Sequence, residues 1–277
     1  MKLLVNLNSL TQPLTGIGEY TLNLVKELLL DDQVQDIRGM RRSKYIDRHQ
    51  IAALIISLES GSHSRQPLAE HLFRNGKLQL VAPAARKLLR IYSECKLQYH
   101  RRMLKNYVYW EPNYICLNHQ GACVPTIHDL SHINCPQYHP KERVKHLQTH
   151  LPKTLTKANH VIVVSEYTKQ SVMHNFDLTE QQITVVPPSV HQDYYPRSEI
   201  ECAQVKQRLN LPANFLLFVG TLEPRKNLFG LLSAYRILPS ELQKQYPLVL
   251  AGKRGWLLDE IDTLLQPMLA SGSVIWL

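Results

Sequence analysis

The feature that most constrains this chain is a repeated alternation. Short runs of consecutive apolar residues are separated by longer amphipathic stretches. Leu3-Leu4-Val5, Val161-Ile162-Val163, Leu216-Leu217-Phe218-Val219 and Leu248-Val249-Leu250 show no polar alternation within the run. A strand of that kind has both faces covered, as in a parallel sheet between layers of helices. Strands are expected at 2–6, 114–117, 125–128, 160–164, 183–186, 215–219, 248–251 and 274–277. Helices are expected at 19–29, 84–107, 166–175, 227–238 and 257–269. Another helix is expected over 141–158, interrupted near Pro152, whose ring and missing N–H oppose the helix interior. Ser165 is a suitable N-cap for the helix at 166–175. The run 51–58 reads equally as a strand or a buried helix segment. The fold class is therefore α/β, with parallel sheets.

Composition narrows the class further. With 277 residues, 44% hydrophobic and 20% charged, the chain has a globular balance and room for one large domain or two ordinary ones. No apolar run approaches the roughly 18 residues of a membrane span. The start turns polar at Asn6, which argues against a signal peptide. The five cysteines (Cys95, Cys116, Cys123, Cys135, Cys202) are odd in number and form no CxxC. Reduced thiols in a cytoplasmic protein are the expectation.

Net charge is +9, and residues 1–190 hold 23 basic and 15 acidic side chains, hence +8 of it. Arg86, Lys87, Arg90, Lys96, Arg101, Arg102 and Lys105 face only Glu94, while Leu88, Tyr92, Cys95, Tyr99 and Met103 recur at helical spacing. Such a helix either docks on the core with a solvated basic face or lies on an anionic membrane surface. The charge carries no nucleic-acid recognition motif, so no specific nucleic-acid partner is expected.

Three stretches carry residues suited to chemistry. Thr15-Gly16-Ile17-Gly18 follows the first strand and opens a helix, which suits a phosphate or a plain tight turn equally. It is not a full GxGxxG, because position 21 is Thr21. His128 ends a strand, where open α/β sheets bind ligands, and can donate or accept a proton near neutrality. Asp129 would orient it or cap the next element. His119, His132 and His139 are near in sequence but fit no zinc spacing, so no metal is expected. In Val219-Gly220-Thr221-Leu222-Glu223-Pro224-Arg225-Lys226-Asn227 a strand ends at Gly220 and a loop brings two cations to a helix start. Cations there oppose the macrodipole, so the alternatives are an anionic ligand and a solvated basic turn. GxSxG, P-loop and HExxH motifs are absent from the sequence.

The order of several segments resembles the retaining glycosyltransferases of the GT-B fold, glycosyltransferase family four, particularly bacterial mannosyltransferase-like members. The segments are Gly16-Ile17-Gly18-Glu19-Tyr20, Glu111-Pro112-Asn113-Tyr114, Thr126-Ile127-His128-Asp129-Leu130-Ser131, Tyr138-His139-Pro140-Lys141-Glu142-Arg143, Val163-Val164-Ser165-Glu166, Val185-Val186-Pro187-Pro188, Val219 to Leu228, and Leu250-Ala251-Gly252-Lys253-Arg254-Gly255-Trp256. The resemblance implies two Rossmann-like lobes and a nucleotide-sugar donor, with GDP-mannose favoured. It implies a glycan or lipid-linked acceptor in surface polysaccharide synthesis, without a cofactor or bound metal. Gly16 would lie near the donor phosphates. His128 would line the sugar pocket and assist at the reacting centre. Gly220, Thr221, Arg225 and Lys226 would form the donor diphosphate site, with Thr221 where many relatives have Arg. The protein would be cytoplasmic, with peripheral contact to an anionic membrane at its inner face.

The expected organisation is an N-terminal acceptor lobe at 1–190, a linker at 191–212 and a partial C-terminal donor lobe at 213–277. The second lobe is expected to be incomplete. The family's second-lobe Glu-x7-Glu segment, which contacts donor sugar and ribose, is not found late in the chain, where no Glu follows Glu260, and the run 273–277 ends the sequence. The alternative to an active glycosyltransferase is therefore a truncated, catalytically inactive fragment.

Overall fold

Strand β1 (Lys2–Asn6) is almost wholly buried, as its unbroken apolar run requires. It is an inner strand of a seven-stranded sheet in this computed structural model, which describes residues 1–41, 44–60, 102–117, 119–190 and 194–277. The expected basic helix at 84–107 lies almost entirely outside the described residues. By contacts the chain divides into two units, Met1–Leu130 with Thr149–Ser189, and Ser131–Gln148 with Val190–Leu277.

In the first unit the other strands are β2 (Asp36–Arg41), β3 (Lys44–Ile46), β4 (Val108–Glu111), β5 (Cys123–Ile127), β6 (Val161–Val163) and β7 (Ile183–Val185). Their order is β3-β2-β1-β4-β5-β6-β7. All neighbours pair parallel except β2 with β3. Chain order reverses between β1 and β4, so the crevice beyond their carboxyl ends is where such a sheet admits a ligand. The β2–β3 hairpin was not expected, because its sequence mixes charged and apolar residues without a continuous run. The core here gathers Leu3, Val5, Leu7, Val25, Ile37, Ile51 and Trp110.

Helix α1 (Gly16–Leu30) begins three residues earlier than expected, because Thr15 caps it and accepts from the Gly18 N–H. The ambiguous run 51–58 is helical, within α2 (Arg48–Glu59). Asp47 and Gln50 cap that helix reciprocally. The expected strand at 114–117 is not one. Tyr114 has φ of 64°, which turns the chain out of extended geometry. Short helix α3 spans Ser131–Asn134, and α4 runs unbroken over Lys141–Lys157 with Pro152 inside it. The expected interruption is absent because Leu151 and Leu155 are buried on either side of the proline, while Pro152 itself faces solvent. Core packing there outweighs one missing hydrogen bond that water can replace. Ser165 caps α5 (Glu166–Asn175), its Oγ 3.1 Å from the Thr168 nitrogen.

The stretch read as a linker contains α6 (Glu199–Arg208), nucleated by a capping box between Ser198 and Glu201. Beyond it lie β8 (Leu216–Val219), α7 (Leu228–Ile237), α8 (Ser240–Gln245), β9 (Leu248–Ala251), α9 (Asp259–Ser271) and β10 (Val274–Trp276). The three strands form a parallel sheet in the order β10-β9-β8. Its core contains Leu222, Leu228, Leu232, Leu250, Ile261 and Leu265. Strand β8 is an edge of this sheet among the described residues, with Leu217 and Val219 exposed. Ser131–Gln148 packs into this unit through Trp256. Its indole Nε1 donates to the Tyr138 carbonyl at 2.9 Å, and its ring stacks on His139.

The expectation of uniformly reduced thiols is corrected by a disulfide between Cys116 and Cys123. The chain turns back between β4 and β5, and that return brings the two cysteines together despite the lack of a recognisable spacing. Cys135 and Cys202 are free, and Cys95 lies outside the described residues. Among the described residues no helix is long and apolar enough to cross a membrane.

Candidate functional site

In the first unit the site grows from the ends of β1 and β4. Asn6 and Glu111 are the last residues of those strands, and both side chains are buried. Asn6 Nδ2 donates to Glu111 Oε2 at 2.6 Å, and the Tyr109 hydroxyl donates to the same oxygen at 2.6 Å. Glu111 Oε1 accepts from the Asn113 N–H at 3.0 Å. Burial pushes the Glu111 carboxyl up to about 7, against the opposing pull of these donors. Burial also raises Tyr109, which stays a protonated donor.

His128 follows β5 at the same end of the sheet. Its Nε2 lies 2.8 Å from the Pro112 carbonyl oxygen. A carbonyl only accepts, so Nε2 carries the proton and Nδ1 is the acceptor of the neutral ring. Burial lowers the His128 pKa, more than the Pro112 bond and the Asp129 charge raise it. The Tyr20 ring meets the imidazole edge-on at 5.3 Å, and Tyr114 lies against it at 6.0 Å. Tyr20 belongs to α1, so the helix opened by Gly16 and the strand-end histidine meet through one aromatic ring. Space around Gly16 is open: a Cβ there would meet no atom within 4 Å. Asp129 N donates to the Tyr114 hydroxyl at 3.1 Å.

In the second unit the residues gather beyond β8. Gly220 has φ of 152°, a conformation that strains other residues. A Cβ on Gly252 would overlap the Gly220 carbonyl, so the loops after β8 and β9 touch backbone to backbone. Thr221 is exposed, and the next residue, Leu222, is fully buried. Pro224–Lys226 forms a 3-10 turn, and Asn227 enters α7 in the left-handed conformation without a side-chain cap. The need of the two cations for an anion is met in part internally: Arg225 pairs with Glu223 at 2.8 Å, and Glu223 is 2% exposed. Lys226 is exposed and makes no ion pair among the described residues.

Sequence reasoning placed no role on Asn6, Tyr109, Tyr20 or Glu223. Glu111 and Glu223 lay inside quoted motifs, but nothing local marks a carboxylate as buried. Of the histidines weighed for metal, His119 bonds the Tyr107 carbonyl and His139 bonds Ser131. Among the described residues no group of three candidate ligands is gathered.

Residues 107–194 match the family model described as Glycosyltransferase Family 4, and residues 200–277 the one described as Glycosyl transferases group 1. O-antigen chain mannosyltransferase B of Escherichia coli is 33% identical over 257 residues, covering 92% of this chain. The serotype-specific mannosyltransferase WbdA of Escherichia coli is 32% identical over 101 residues, covering 35% of this chain and 12% of that protein. Anabaena Alr3699/HepE, solved in complex with UDP-glucose, superposes with a TM-score of 0.59 at 16% identity. It covers all of this chain and 68% of its own. WaaG, a glycosyltransferase involved in lipopolysaccharide biosynthesis, gives 0.57 at 10% identity, covering all of this chain and 70% of its own.

Two glycosyltransferase family models thus match consecutive segments of the chain, and its fold is that of the GT-B glycosyltransferases. The chain spans 65% of the length of mannosyltransferase B. The two family segments meet between residues 194 and 200, just ahead of α6. The Glycosyltransferase Family 4 segment contains the Glu111–His128 cluster, and the group 1 segment contains the Gly220–Lys226 loop. Gly16 lies ahead of both matched segments.

Proposed function

We propose that the protein is a retaining glycosyltransferase that moves a hexose, mannose from GDP-mannose, to a glycan or lipid-linked acceptor of a surface polysaccharide. The observation that carries this is the uncapped, cationic start of α7. Its N–H groups lack a side-chain cap, Lys226 stands beside them, and Arg225 is held on Glu223. Backbone N–H groups and an ammonium together suit a diphosphate. Their charge would stabilise the nucleoside diphosphate as the glycosidic bond breaks.

Gly220 and Thr221 would let the donor approach the loop, and Gly16, with open space around it, would do the same in the first unit. His128 would line the sugar pocket. With Nε2–H committed to Pro112, it accepts a hydrogen bond from a sugar hydroxyl at Nδ1 and does not shuttle a proton. The donor base and sugar rest on the relatives: two mannosyltransferases by sequence, and a neighbour that binds UDP-glucose by fold. A cytoplasmic site with peripheral contact to anionic lipid fits the basic excess of residues 1–190.

Calorimetric titration of the full-length protein with GDP-mannose and UDP-glucose tests the reading. Lys226→Gln should weaken donor binding roughly ten- to a hundredfold, as loss of one charged hydrogen bond implies. Unchanged affinity in that variant, or no binding of either donor, would remove the anion-site argument. Retention is read separately, from the anomeric configuration of the product.

A further inference from the structure

The hydrogen bonds of Glu111 and His128 end on the two sides of one peptide group. Glu111 Oε1 accepts from the Asn113 N–H at 3.0 Å, and the Pro112 carbonyl of that same peptide accepts from His128 Nε2 at 2.8 Å. A planar trans peptide points its N–H and C=O in opposite directions, so the carboxylate and the imidazole stand at its opposite ends. A carboxylate on the N–H side draws the peptide proton and makes the carbonyl a stronger acceptor.

We propose that Glu111 is a positioning residue that acts through the Pro112–Asn113 peptide, holding His128 in the Nε2–H tautomer with Nδ1 left as its acceptor. The inference rests on the reading of His128 as a sugar-pocket residue. Three observations support it. Glu111 is 2% exposed, and a buried carboxylate is a costly way to hold a turn that a neutral residue could hold. Its second oxygen is fixed by two further donors, Asn6 and Tyr109. Asn6 is itself oriented, because its Oδ1 accepts from the Asn8 N–H at 3.0 Å and Nδ2 is thereby turned to Glu111. The array runs from β1 across β4 to the residue after β5, along the carboxyl edge where the sheet reverses.

Ionisation enters through the same group, because burial brings the Glu111 carboxyl to about 7. The side chains that face it are Asn6 from β1 and Tyr109 from β4, and the backbone of Asn113 completes the set. Tyr109 stays protonated through this range. Beyond the peptide the titratable neighbours are His128, whose pKa burial lowers, and Asp129.

Side-chain 15N NMR of the histidines, on the full chain without donor, tests the proposal. His128 is assigned by comparison with His128→Asn. The expected result is a single Nε2–H tautomer whose Nε2 signal has an inflection near pH 7, above the ring's own titration. Glu111→Gln, which retains an acceptor without the charge, should abolish that inflection. Glu111→Ala should also mix the tautomers. Tyr109→Phe removes one donor that favours the carboxylate, so the inflection should move to higher pH. This variant serves if neither Glu111 variant folds. An inflection that persists in Glu111→Gln, stays in place in Tyr109→Phe, or is absent from the wild type overturns the proposal. Absence of donor binding in the wild type instead counts against the glycosyltransferase activity and leaves the tautomer result intact.

Discussion

Glu111 shows how far a single side chain can depart from its sequence context. Its carboxyl titrates near 7 rather than near 4.5. Below pH 4.5 the group is protonated folded and unfolded. Between 4.5 and 7 the unfolded chain releases the proton while the folded chain keeps it, so stability falls as pH rises. Above 7 both are ionised and the full cost is present, on the order of 3 kcal/mol for a shift of this size. Urea unfolding of wild type and Glu111→Gln at pH 5 and pH 8 should show the wild type losing stability relative to the variant as pH rises. A difference that does not vary with pH would mean that the carboxyl is not held protonated. The motif around Glu111 was legible, but its burial was not. Its partner Asn6 is 105 residues away, a pairing only the β1–β4 adjacency creates. His128 was legible as a strand-end histidine, whereas its tautomer depended on a carbonyl contributed by another loop.

The elements were read most securely where one local signal sufficed. Continuous apolar runs located β1, β6, β8 and β9, and Ser165 marked the start of α5. The errors came where a distant contact decided the outcome. Pro152 stays within α4 because leucines on both sides are buried, and Tyr114 leaves extended geometry in a loop tied down by Glu111 and by the Cys116–Cys123 bond. The loops after β8 and β9 provide a test at this scale. Gly252→Ala would force apart the Gly220 and Gly252 backbones and should lower the melting temperature by several degrees, with donor binding lost as a consequence. Gly16→Ala meets open space, so its melting temperature should stay within a degree or two while donor affinity falls. A Gly16→Ala protein that binds donor normally would remove Gly16 from the site.

For the whole molecule, charge is the broadest feature. Residues 1–190 hold +8 of the +9. Lys141, Arg143, Lys153 and Lys157 are exposed on α4, where Glu142 is the only acidic residue. Flotation with vesicles should show binding that grows with the fraction of anionic lipid and is lost near 0.5 M salt, roughly where the Debye length falls well below 10 Å. Equal recovery on neutral and anionic vesicles would show that charge does not drive the contact. The α/β class was legible from strand–helix alternation. The membership of Ser131–Gln148 was not, because it rests on packing against Trp256 in the last part of the chain.

That packing has a consequence for synthesis. Tyr138 and the Trp256 indole that caps its carbonyl are 118 residues apart. At roughly 5–20 residues per second, the ribosome needs on the order of ten seconds to deliver the second after the first. Strands β1 to β5 precede that interval and β6 to β9 are made within it, while Ser131–Gln148 waits for a partner not yet translated. Nascent chains stalled near residue 200 should therefore be cut by protease within 131–148, and chains released after residue 277 should resist. Equal resistance in both would mean that the early segment finds its place without Trp256.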